Sequence, residues 1–373
     1  MEAALNPPRA HGAPLCLGRL RTEPEDFVVE EQLGFEPAGA GQHVLLKVRK
    51  RDANTQWVAR ELARVCGCRP NDVGYAGLKD RRAVATQWFT VPQSPLSAED
   101  WLGVRSGEFE VLEAHRHSRK LPRGALAGNR FVIRVRATSI DEDSLASRLA
   151  VIGTRGVPNY FGPQRFGRAG ANLRRMGEDL RVLRQPERGF ILSAARSLMF
   201  NAVLAERVRD GTWEHLEPGD LANLDGRASH FRVEAADETL SQRSTQLDIH
   251  PTGPLWGRGA PPSGGRVLEL EQRVAAGLGA ACDLVERAGM DQERRSLRLA
   301  VRDLRWRRES ESRDLASPEP ALAPKSREPD PCQAGPSGGD SIILEFRLTR
   351  GAYATTVLRE IFALDADYDE SST

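Results

Sequence analysis

Lysine is scarce in this chain: five residues, with arginine making up the rest of 53 cationic side chains. A surviving ammonium therefore carries information, and at Lys79 a compact point charge is not interchangeable with a guanidinium fork. Cysteine is as sparse, and Cys16, Cys66, Cys68, Cys282 and Cys332 are odd in number and scattered. Cys66 and Cys68 are too close together for a zinc knuckle, and no second pair completes a site. Reduced thiols in a cytoplasmic protein are the expectation. No apolar run approaches a membrane span, and the N-terminal stretch lacks an apolar signal core. A formal net charge of +1 excludes polyanion binding by bulk charge, so any such affinity must come from local patches.

Nucleotide and metal motifs are missing too. Gly162 and Gly167 have P-loop spacing, but Arg168 and Ala169 stand where Lys and Ser or Thr are needed. Asp365, Asp367 and Asp369 open like a calcium loop, yet Glu370 occupies the obligatory glycine position. His115 and His117 have no carboxylate or thiol close by and read as surface histidines. No metal and no cofactor is expected.

What is present is 373 residues, 40% of them apolar, enough for two domains or for one domain with a large insertion. Phe27–Glu31, His43–Arg49, Val73–Ala76, Trp88–Val91, Phe109–Glu113 and Arg130–Arg136 alternate as strands. The spacing predicts helices over Asn54–Cys66, with Asn54 as N-cap and Gly67 as stop, and over Ser144–Ile152. After Gly153 the pattern turns to Gly, Pro and aromatics, then to helices over Ser193–Arg209 and Gly265–Ala288 with short strands such as Phe231–Glu234 between. Strand patterns resume near Leu297–Leu304 and at Ile342–Leu348, followed by a helix over Thr355–Phe362. This order suggests an α+β protein whose sheet is built from both ends of the chain. Residues 1–18 read as a loose tail. Glu309–Asp340, rich in Ser, Pro, Glu and Gly, reads as a disordered insertion.

The most informative stretch is Gly74-Tyr-Ala-Gly-Leu-Lys-Asp-Arg-Arg-Ala83. One carboxylate, Asp80, stands among Lys79, Arg81 and Arg82, after glycines that permit a tight turn. Cations favour an ionised carboxylate, which suits a nucleophile or base beside a polyanion; a solvated turn is the plain alternative. Basic patches lie at Arg116, Arg119, Lys120, Arg123, Arg130, Arg134 and Arg136, and at Arg165, Arg168, Arg174 and Arg175. The first is a candidate RNA contact, and for each the alternative is a solvated face.

Together with Thr22-Glu-Pro-Glu-Asp-Phe-Val-Val-Glu-Glu31, Gly128-Asn-Arg-Phe131 and Pro158-Asn-Tyr-Phe-Gly-Pro-Gln-Arg-Phe-Gly167, that stretch resembles the TruD family of tRNA pseudouridine synthases. The resemblance runs from about Arg19 to Phe362. It implies a pseudouridine-synthase catalytic domain with a mixed, mostly antiparallel sheet, over residues 19–153 and 304–373. An inserted α/β TRUD domain would occupy 154–303. It further implies isomerisation of uridine 13 in the tRNA D-arm, after the base is flipped out. Asp80 would be catalytic, by covalent attack on the nucleotide or by abstraction of a sugar proton. Phe27 and Tyr353 would give aromatic faces, although the family usually has Phe where Tyr353 stands. Asn129 would read the base, Phe131 would brace it, and Lys79 and Arg165 would hold a phosphate or orient Asp80. Substrate tRNA is the expected partner, and a monomer is expected because one chain supplies the cleft. An inactive tRNA-binding or chaperone protein is the alternative. A paired-carboxylate glycosidase is disfavoured because the Asn129 and Asn159 blocks hold no second acid.

Overall fold

A computed structural model describes residues 6–93, 96–137, 139–309 and 341–364. The N-terminal third supplies strands β1 (Cys16–Arg19), β2 (Phe27–Gln32), β3 (His43–Arg51), β4 (Gly74–Tyr75), β5 (Val84–Pro92), β6 (Phe109–His117) and β7 (Gly128–Ala137). Alternation explains them. In β7, Phe131, Ile133 and Val135 are buried while Arg130, Arg134 and Arg136 face out. Helix α1 (Thr55–Cys66) starts where the Asn54 side chain accepts from the Gln56 amide at 3.1 Å. It stops at Gly67, which takes a left-handed φ of 74°. Helix α2 (Glu142–Arg155) lays Leu145, Leu149 and Ile152 on the core beside β7.

The middle of the chain forms a second assembly. Its strands are β8 (Val157–Pro158), β9 (Leu221–Leu224), β10 (His230–Arg232), β11 (Ile249–Leu255), β12 (Glu293–Ser296) and β13 (Arg298–Leu299), of which β10-β9-β11-β12 make one sheet. Helix α3 (Gln185–Arg209) buries Ile191, Leu198, Phe200 and Leu204 in a core shared with Phe161, Phe166, Trp213 and Leu297. The single helix expected over Gly265–Ala288 is two, α4 (Gly265–Gly277) and α5 (Gly279–Arg287). Leu278, between two glycines, leaves helical space at φ −121° and breaks it. Two buried ion pairs lie here, Arg207 with Asp220 at 3.0 Å and Arg294 with Glu271 at 2.8 Å.

The chain then returns to the first sheet with β14 (Arg302–Glu309), β15 (Ser341–Thr349) and β16 (Phe362–Leu364). The main order is β14-β15-β7-β2-β5-β3-β6, antiparallel except where β2 meets β5. Strand β15 pairs with β7 from Ser341↔Arg136 to Thr349↔Gly128. Ile342, Leu344, Phe346 and Leu348 join Phe27, Phe131 and Ile133 in one core. The helix expected over Thr355–Phe362 is shorter, α6 (Ala354–Leu358), because Phe362 is drawn into parallel pairing with β1.

The loose tail expected for residues 1–18 is corrected from Asn6 onward. The Ala10 amide donates to the Glu360 carboxylate at 2.9 Å, the Leu15 amide to the Ile361 carbonyl at 2.8 Å, and β1 lies in the sheet. A buried carboxylate needs donors, and this segment supplies them. The expected insertion lies, past Glu309, outside the described residues.

Gly128 has no room for a side chain, since a Cβ there would stand 2.3 Å from the Leu348 carbonyl oxygen. Gly128→Ala should therefore destabilise the protein by about 1–3 kcal/mol, read as a lower melting temperature. An unchanged melt would mean that the β7–β15 contact yields easily.

Candidate active site

The loop carrying Asp80 joins β4 to β5 and is pinned through its backbone. The Lys79 amide donates to Thr55 Oγ1 at 3.0 Å, and Gln87 Nε2 donates to the Gly77 carbonyl at 2.6 Å. Lys50 Nζ donates to the carbonyls of Ala53 and Asp80, each at 2.7 Å. Lys50, Thr55 and Gln87 are fully buried. Burial pulls the Lys50 ammonium down to about 8, opposed by Asp80 and reinforced by Lys79. The two carbonyls take two of the ammonium's three N–H donors.

At the loop's tip the Asp80 carboxylate is partly exposed and ion-pairs with Arg21. The Arg21 guanidinium lies over the Phe27 ring at 4.1 Å, and its own backbone is held at a left-handed φ of 54°. A non-glycine residue there costs about 1–3 kcal/mol, so the surroundings must hold it. Arg21 was not singled out from sequence, because its pairing exists only once β1 and the loop are brought together. Lys79, expected to hold a phosphate or orient Asp80, instead bonds Glu31 at 2.6 Å. Glu31 also accepts from the Trp88 amide at 3.0 Å and is wholly buried, so it is a structural acid. Its sequence signal was a carboxylate on the face of β2 that buries Phe27 and Val29. Lys50 had the scarcity of lysine as its signal.

Asp80 opens into a pocket of about 150 Å³ that Phe27, Lys79, Asn129, Phe131 and Tyr353 also line. Phe27 and Phe131 meet edge to face at 6.0 Å and are nearly buried, forming the floor. Asn129 is buried beside them, and its Oδ1 has no hydrogen-bond partner. Tyr353, 38% exposed, projects from the N-terminus of α6. Arg165 stands outside this pocket, but its Nη2 donates to the Tyr353 hydroxyl at 3.0 Å. Leu78, Gln164, Tyr353 and Thr355 are shared with a larger groove of about 680 Å³. All seven residues expected at the site thus lie in or beside one cleft. The sequence reading had not included Arg21, Lys50, Glu31 and Gln164.

The first basic patch divides in two. Arg130 bonds Glu345 at 2.6 Å, and Arg134 and Arg136 approach Asp26 at 3.4 and 3.3 Å. These arginines form a cross-strand ladder with acids from β2, β15 and the turn before β2, so the continuous basic surface expected there is corrected. Among the described residues no carboxylate ion-pairs Arg116, Arg119, Lys120 or Arg123; Arg123 lies over Tyr75 at 3.8 Å. In the second patch, Arg175 is paired with Glu178 at 2.9 Å. No helix among the described residues is long and apolar enough to cross a membrane.

The chain matches the model of the TruD family, described as tRNA pseudouridine synthase D, over residues 9–185 and 178–361. It is 44% identical to the tRNA pseudouridine synthase D of Methylococcus capsulatus over 365 residues, covering 96% of this chain and 94% of that one. Identity to the enzyme of the same name from Pseudomonas aeruginosa (strain LESB58) is 42% over 368 residues, with 97% and 95% covered. A crystal structure from Methanosarcina mazei, titled as that of the "Putative tRNA pseudouridine synthase D (TruD)", superposes with a TM-score of 0.71 over 97% of each chain at 21% identity, a likeness of fold.

The buried Lys50 gives a test of how the loop is held. Lys50→Met should lower kcat by more than tenfold, with KM within a few-fold, because Asp80 loses its backbone anchor while the pocket walls remain. The folded-state value of about 8 lies below the ordinary 10.5, so the unfolded chain binds more protons between them. The stability advantage of wild type over Lys50→Met should therefore grow from about pH 8 to pH 10.5, measured by denaturant unfolding. A flat difference across that window would refute the assignment.

Proposed function

Because this chain belongs to the TruD family of tRNA pseudouridine synthases, we propose that it isomerises uridine 13 of the tRNA D-arm with Asp80 as its catalytic carboxylate. The observation that carries this reading is the small pocket: one carboxylate on a pinned loop, an aromatic floor, and one unmatched amide oxygen. A buried acceptor without a donor costs about 1–3 kcal/mol, which the N3–H of a flipped uracil would recover at Asn129 Oδ1. The Tyr353 ring supplies an open stacking face, and Phe131 backs the floor on which the base would sit.

The reaction breaks the N1–C1′ bond, turns the uracil, joins C5 to C1′, and moves a proton from C5 to N1. Nothing is added or oxidised, so a positioned carboxylate suffices and no cofactor is needed. Asp80 acts on the nucleotide directly, by attack on carbon or by taking a sugar proton, and both routes need the carboxylate beside the ribose. Arg21 fixes its direction. On this reading, 19–153 with 304–373 is the catalytic domain and 154–303 the inserted domain. A single cytoplasmic chain supplies the whole site.

Pseudouridine mapping on an unmodified tRNA transcript should show product at position 13 with wild type and none with Asp80→Asn, while tRNA binding stays within a few-fold. Tight binding by wild type without any product would favour the tRNA-binding alternative. Arg116→Ala with Arg119→Ala should weaken tRNA binding and reduce the slope of log K against log salt by about 1 to 2. Arg130→Ala should leave that slope unchanged, because Glu345 already neutralises it. Equal slopes for all three proteins would remove the 116–123 segment from the RNA path.

A further inference from the structure

The groove beside the catalytic pocket has about 680 Å³ of space, within the range of a nucleotide-sized site, and runs continuously into the pocket through Leu78, Gln164, Tyr353 and Thr355. Among the described residues, three of the seven exposed large apolar side chains, Leu78, Phe190 and Tyr353, line it. Phe190 stands 62% exposed on the second turn of α3, where an apolar ring gains nothing from packing within the chain. Exposed apolar surface gathered in one groove marks a binding site.

Charge points to the kind of ligand. Arg9 and Arg359 on the groove's wall are already engaged, Arg9 with the Phe362 carbonyl at 3.3 Å and Arg359 with Glu360 at 2.9 Å. Arg165 is not: its hydrogen bonds go to the hydroxyls of Ser193 and Tyr353, at 2.8 and 3.0 Å. Beside it, Arg295 bonds the Asn159 side-chain oxygen at 2.7 Å and the Gly351 carbonyl at 3.3 Å, and its Nε is buried without a partner. Both guanidiniums lie over the Phe161 ring, at 5.1 and 4.3 Å. Among the described residues no carboxylate ion-pairs either one. Burial and the neighbouring Arg165 charge pull Arg295 down to about 10. Two adjacent cations with no counter-ion among the described residues, one of them, Arg165, on the groove's wall, call for an anion.

We propose that this groove binds the nucleotide adjacent to the target uridine, its base stacking on Phe190 and the intervening phosphate held by Arg165, with the Arg295 charge behind it. The proposal rests on the reading that the small pocket takes a flipped uridine. It makes target choice depend on the neighbour as well as on the uridine itself. Gln164, on the wall common to both spaces, lies between the two bases.

The test uses the full chain carrying Asp80→Asn, so that binding is measured without turnover. Its affinity is measured for tRNA transcripts that are intact or abasic at position 12 or at position 14. Phe190→Ala should weaken binding to the intact transcript by about tenfold, the worth of one base–aromatic stack. Removing the base at one of the two positions should cost the parent protein the same factor, and the two losses should not add. Phe190→Ala is a surface change and leaves folding intact. Losses that multiply at both positions, or no loss on Phe190→Ala, would overturn the proposal. Arg165→Gln should lower the salt slope by about 0.7–0.9, one phosphate's share, and an unchanged slope would refute the phosphate contact. The wild-type mapping experiment is read separately. Coupling without pseudouridine would retain an RNA-reading groove and reject the chemistry; pseudouridine without coupling would do the reverse.

Discussion

The pairing of β7 with strands from both ends of the chain is the constraint on which the site depends. One edge of β7 takes β15 in unbroken register from Gly128 to Arg136, and the other takes β2 from Gly128 to Ile133. That register sets Asn129 and Phe131 beside Phe27, and brings the turn after β15 close enough for Tyr353 to face Asp80. Because side chains alternate across a sheet, a slip of one residue would turn Asn129 outward and bring Arg130 into the pocket. The Gly128–Leu348 contact, too close for any Cβ, fixes the end of β7 nearest the site.

Charge is treated differently inside the fold and at the cleft. Arg207 with Asp220, Arg294 with Glu271, and Lys79 with Glu31 each bury a cation with its own acid. Such pairs repay desolvation only when their geometry is good, and removing one partner is far costlier than never having had the pair. Around the cleft the matching stops. Among the described residues Arg165 and Arg295 have no acid, Asn129 Oδ1 has no donor, and Lys50 sits in the interior with two carbonyls in place of a carboxylate. These mismatches are stability left unused in the free protein, and those at Asn129 and Arg165 lie in the pocket and the groove that adjoins it.

Much of this was legible in the sequence. Asn54 and Gly67 marked the ends of α1, alternation marked β3, β7 and β15, and the return of strand pattern after the helical middle implied a sheet made from both ends. Asp80 stood out by its cationic neighbours and glycines, but that pattern alone left a solvated turn equally open, and only the family resemblance gave the residue a role. What escaped depends on distant partners. The basic run through Arg130, Arg134 and Arg136 looked like an open patch because its acids come from residues 26, 309 and 345. The cation on Asp80 is Arg21, which no local pattern selects. The N-terminal segment lacks periodicity, yet it packs because Glu360 offers a buried carboxylate for its amides. The break at Leu278 was written in its flanking glycines but hidden by a long apolar stripe.

The distance along the chain between the partners of the central sheet has a consequence for biosynthesis. Arg130 and Glu345, neighbours across β7 and β15, are 215 residues apart. While the middle of the chain is still leaving the ribosome, β7 presents an unpaired edge, the kind of template on which chains join wrongly. Late closure of so long a loop is slow. The pocket stays incomplete until Tyr353 has been translated, because that residue forms part of its wall. Loss of the last strands would therefore cost the whole site as well as a piece of the sheet.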